Sequence, residues 1–124
     1  MELDDSGVQA GVRTFRHPVH CPRFVLLPMV HVAEPAFYED VTARVRRCDL
    51  VASRVWDTLI DDTERDRRLG EALTSIHVKR SQGSIAVAVV YGAAHMRAAV
   101  SHLRTLGYGS TGCERLTVFS FDAE

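Results

Sequence analysis

The chain has 124 residues, 46% of them apolar and 25% charged, with a formal net charge of −1. That is the composition of one small globular domain, and it excludes a chain disordered throughout. A near-neutral balance gives no electrostatic footprint for nucleic acid or an anionic membrane, and no apolar run approaches the ~20 residues of a spanning helix.

Residues 1–11 are polar and contain glycine, and they read as a flexible terminus ahead of a single domain over 12–124. No basic-apolar-small leader opens the chain. Cys21, Cys48 and Cys113 are odd in number and far apart, without a CxxC pair, so a cytoplasmic setting with reduced thiols is expected. Residues 12–21, VRTFRHPVHC, read as a short strand that Pro18 confines to an edge or breaks. In an extended segment His17 and His20 point to opposite faces, and with Cys21 they fit no zinc-knuckle spacing.

Residues 23–30 are the first buried strand. Pro35 then opens a helix with Phe37, Val41 and Val45 on its apolar stripe and Arg44, Arg46 and Arg47 towards its end, as the helix dipole favours. Residues 49–56, DLVASRVW, return as a strand carrying Trp56 as a core or interface residue. A helix is expected over 63–79, with Leu69, Leu73 and Ile76 inward and Thr63 with Asp66 as a variant capping box. Residues 85–91, IAVAVVY, form a strand buried on both faces, followed by a helix over 95–106 that Gly107 stops and that carries His102 on its surface. GSTGCE reads as a loop and RLTVFSF as a final strand near the sheet edge.

This order predicts a single α/β domain, a mixed or mostly parallel sheet of about four to five strands with helices on its faces. It contains two strand-histidine-helix units, one ending on His31 and one on His95. Both histidines are expected on one rim of the sheet, at the carboxyl ends of strands, where open α/β sheets hold ligands. The positive end of the helix at Gly92-Ala93-Ala94-His95 favours a neutral ring there, with a lone pair for a metal or a proton.

VLLPMVHVAEPAFYEDVTARVRRCDLVASRVW resembles the N-terminal unit of the TraB/GumN (Tiki-like) family, in which an apolar strand ends in a GxxH-type motif. ERDRRLGEAL resembles that family's later helix start, and VVYGAAHMRAAVSHLRTLGYG its second GxxH motif. The similarity runs from about residue 24 to 121. It implies an erythromycin-esterase/ChaN-like fold and metal-dependent peptide hydrolysis, with His31 and His95 as ligands of a divalent Zn, Mn or Co ion. The sequence departs from the pattern in three ways. Pro28 replaces the first glycine, Arg54 stands where an acidic ligand is expected, and the central helical segment is short. Arginine is a permanent cation and cannot ligate a metal. The expected function is therefore a degenerate, non-catalytic binding or self-associating module for a peptide or small-molecule ligand, with a metal-dependent hydrolase as the alternative. Glu34, Arg54, Arg65 and Asp66 are the candidates for a catalytic role, Asp57 is a further possible acidic substitute, and the shortened core suggests a homo-oligomer.

Overall fold

A computed structural model describes residues 2–4, 7–30, 33–53, 62–92 and 95–120. The elements run β1 (Glu2–Asp4), β2 (Gly7–Arg16), β3 (Arg23–Met29), α1 (Pro35–Arg46), β4 (Leu50–Ser53), α2 (Asp62–Arg80), β5 (Ala86–Gly92), α3 (Met96–Thr105) and β6 (Gly109–Ser120). Strands β3, β5 and β4 lie parallel side by side, and β2 pairs antiparallel with both β3 and β6. The order across the sheet is β6-β2-β3-β5-β4. Short β1 pairs with Gly7 to Gln9 of β2, on the edge that β3 uses from Arg13 onwards. The sheet is thus an open mixed one, five strands wide, with β1 continuing the column of β3.

The central strands can be apolar on both faces because helices cover both. Phe24, Leu26, Val87 and Val89 pack with Leu69 and Leu73 of α2 and Ala99 and Leu103 of α3. Leu27 and Ala88 point the other way, towards Phe37 and Val41 of α1. In each helix the buried pair is four residues apart, one face of a 3.6-residue period. Full burial of each aliphatic or aromatic side chain contributes about 1.5–3 kcal/mol. The placement follows from handedness. The chain moves from β3 to β4 in one direction across the sheet, then back to β5 and on to β6. Right-handed crossovers therefore put α1 on one face and α2 and α3 on the other.

This reversal creates a switch point between β3 and β5. The connection leaving β3 heads for one face and the connection leaving β5 heads for the other. The two strands end level, with Met29 paired to Gly92. A crevice at such a point, outside the carboxyl ends of the strands, is the general ligand position of open α/β sheets.

Two expectations are corrected. Of the terminus expected to be flexible over 1–11, Glu2–Asp4 forms β1 and residues 7–11 form the first half of β2. GSTGCE, taken as a loop, forms the first half of β6. The antiparallel register sets the first half of each strand against the second half of the other, from Gly7 opposite Ser120 to Arg16 opposite Gly109, with irregularities after Val8 and Thr14. The glycines and exposed polar residues that hid both segments are tolerated because the ribbon meets the α1 core through a few apolar side chains, Ala10, Val12, Leu116 and Val118 buried in it and Val8 and Phe119 partly buried against it. No described helix is long and apolar enough to cross a membrane.

Candidate functional site

Gly92 closes β5, and His95 caps the start of α3. Apart from tyrosines, His95 is the only buried titratable side chain among the described residues, at 7% exposed. Its Nδ1 lies 2.9 Å from Oδ1 of Asp66 in the first turns of α2. A carboxylate accepts, so Nδ1 carries the proton, and in the neutral ring the basic lone pair is on Nε2. Tyr91, buried in the same layer, has its phenol pushed upward by desolvation. The imidazole is thus fixed in one tautomer and one orientation at the switch point.

Asp66 also opens a groove of 510 Å³ between α2 and α3. Further along it, Thr74 Oγ1 lies 2.6 Å from His102 Nε2. The ring of His102 packs on Gly70, where a Cβ would come within 3.0 Å of Nδ1. Asp66, Gly70 and Thr74 are four residues apart on one face of α2. They meet His95 and His102, seven apart on one face of α3. His102, expected at the surface, is half-buried because Gly70 admits it. The capping box is corrected as well: α2 begins at Asp62, which places Thr63 within the helix, and the Asp66 carboxylate turns to His95.

The other candidates divide. Glu34 precedes α1, and its Oε1 accepts the Ser120 N–H at 2.7 Å, which ties it to the end of β6. Arg65 is half-buried on α2 beside Asp66. His31, Arg54, Trp56 and Asp57 lie outside the described residues. Of the sequence candidates, therefore, the described structure brings together His95 and Asp66.

A second cluster sits at the opposite end of the sheet. His17 and His20 do not point to opposite faces, because the chain turns at Pro18. Their ring centroids are 4.4 Å apart, and His17 Nδ1 accepts the backbone N–H groups of Val19 and His20 at 3.0 and 3.1 Å. His77 of α2 joins them, 4.8 Å from the His20 ring, and shares a 2.8 Å hydrogen bond with the Tyr108 hydroxyl. Burial pushes His77 towards the neutral form, and the charges of His20 and His17 add to this. With Nδ1 of His17 accepting, its proton lies on Nε2, a form that cannot ligate through that atom. Among the described residues no group of three or more His, Cys, Asp or Glu is arranged to hold a metal ion.

No family model, curated protein or solved structure matches this chain significantly. Its function is therefore argued from the site.

Proposed function

We propose that the chain is a TraB/GumN-like α/β domain whose role is to bind a small-molecule or peptide ligand at the switch point between β3 and β5. His95 is the group that meets the ligand. The observation that supports this is a buried histidine at the carboxyl end of β5, bonded through Nδ1 to Asp66, which makes Nε2 the basic nitrogen of the neutral ring. The ligand recognised by a neutral imidazole is one that brings a hydrogen-bond donor or an electrophilic centre to the rim.

One observation favours the second reading, a metal-dependent hydrolase. Metal-ligating histidines characteristically donate their other ring N–H to a carboxylate, which is the relation of His95 to Asp66. His95, with His31, would hold the ion. A bound divalent ion lowers the pKa of water and polarises a carbonyl.

One experiment separates the two readings. Metal-stripped protein is titrated with Zn²⁺, Mn²⁺ and Co²⁺, and a fragment library is then screened by amide NMR. The binding module predicts fragment hits whose shifts centre on Met29, Gly92 and Met96 and vanish in His95→Ala, with no stoichiometric metal uptake. One equivalent of metal, lost in His95→Ala, selects the hydrolase instead. Neither metal nor fragment contacts at this rim would overturn both.

A further inference from the structure

On the α1 face of the sheet, at the end away from His95, lies a cleft of 370 Å³. Arg23 opens β3, six residues before Met29, so this cleft is about 20 Å from the switch point along the strand. Val12 and Val25 give it an apolar floor, and Arg44 and Arg47 wall it from the end of α1. Its charge is unbalanced. Arg44 forks onto Glu114 of β6 and donates Nη1 to the carbonyl of Asp40 at 3.1 Å. That pairing occupies the single carboxylate among the lining residues.

Arg23 and Arg47 remain. Among the described residues neither has a carboxylate within ion-pair distance. Both nevertheless act on the cleft. Arg44, with a smaller contribution from Arg47, holds the Glu114 carboxyl below the usual range, and burial raises the Cys48 thiol while the charge of Arg23 opposes that rise. The neighbouring Asp49 carboxylate is turned to the Ala86 N–H, at 2.8 Å. Arg23 is half-buried in the sheet face and is held there by the ladder on both sides of β3. The ladder fixes the backbone from which the side chain reaches the cleft, and a guanidinium fork is well matched to a planar or tetrahedral oxyanion.

We propose that this cleft binds a small molecule bearing an oxyanion, a phosphate monoester or a carboxylate, on a compact apolar body. The oxyanion lies between Arg23 and Arg47, braced by Arg44, and the body lies over Val12 and Val25. A cavity of a few hundred Å³ with an apolar floor and a few convergent polar groups is of the size and kind that holds one such ligand.

The test uses the full chain at low ionic strength, with inorganic phosphate, phenyl phosphate and benzoate as probes, followed by amide NMR. Saturable one-site shifts at Thr14, Arg23, Cys48 and Gly112 are expected, with an aryl probe bound more tightly than inorganic phosphate. Phenyl phosphate ahead of benzoate assigns the site to phosphate esters, and the reverse order to carboxylates. Arg23→Gln should weaken binding about tenfold or more, the scale of a lost charge-assisted hydrogen bond. Arg47→Gln, at an exposed position that leaves the fold intact, should weaken it severalfold, and Arg97→Gln on α3 should leave it unchanged. Absence of saturable shifts with all three probes overturns the proposal. So does an Arg97→Gln effect equal to that of Arg47→Gln, which would mark diffuse surface attraction.

Discussion

Asp66 accepts a hydrogen bond from a ring whose side chain is nine-tenths buried, while its own side chain is 40% exposed. The carboxylate can be hydrated in the unfolded chain at little cost, whereas a buried imidazole N–H left without an acceptor carries the full desolvation penalty. Asp66→Ala is therefore expected to destabilise the fold by about 1–3 kcal/mol, read as a lower urea midpoint. Asp66→Asn, which keeps an acceptor oxygen, should cost less. Equal losses in the two variants would show that the carboxylate matters through packing and not through the hydrogen bond. Side-chain chemistry alone marked Asp66 as a candidate. Its partner was not legible in the sequence, because 29 residues separate the two and α2 could have turned any of its faces to the rim. His95 was legible, since a buried strand followed by a helix fixes where the intervening residue must lie.

At the scale of elements, the link between the β2–β3 connection and the end of α2 is an aromatic cluster of His17, His20, His77 and Tyr108. Alternation along a strand sent His17 and His20 apart. Pro18 ends that strand, and the turn brings their rings together, while His77 arrives from a helix 57 residues beyond His20. The cluster has a pH consequence whose sign is fixed. Burial and the neighbouring histidines lower the folded-state value of His77 below its ordinary 6.5. Between that lowered value and 6.5 the unfolded chain binds more protons than the folded one, so stability falls as pH drops below 6.5 and is complete above it. Chemical denaturation of wild type and His77→Gln from pH 8 to 5 checks this. The wild type should lose midpoint more steeply below 6.5 than the variant, and parallel profiles would contradict the assignment.

For the whole molecule, the α/β class and the mixed sheet followed from two strand-helix units. The buried stripes of α1 and α2 followed from their helical spacing, and the Ala99–Leu103 stripe of α3 repeats it. Residues 7–11 and 109–114 of the β2–β6 ribbon did not, because a sheet with one largely exposed end does not need a continuous apolar pattern. Their glycines and polar residues resemble those of a loop until the two strands are paired. That pairing leaves β6 with β2 on one side and no further strand on the other among the described residues, where Glu34 bonds its last residues, at the Val118 carbonyl and the Ser120 N–H. Amide exchange should accordingly be slowest in β3 and β5, which are paired on both sides and buried. In β6 the amides that face away from β2, other than the Ser120 N–H held by Glu34, should exchange far faster than those bonded to it. Uniform protection along β6 would mean that a second copy or another partner covers that edge in solution.

The most direct test of the account is the protonation site of the His95 ring, read from long-range ¹H–¹⁵N correlations at a pH where the ring is neutral. The Asp66 hydrogen bond predicts a proton on Nδ1 and a pyridine-type Nε2 that shifts when a rim ligand or metal is added. A proton on Nε2, with Nδ1 pyridine-type, would contradict the orientation on which the proposed site depends.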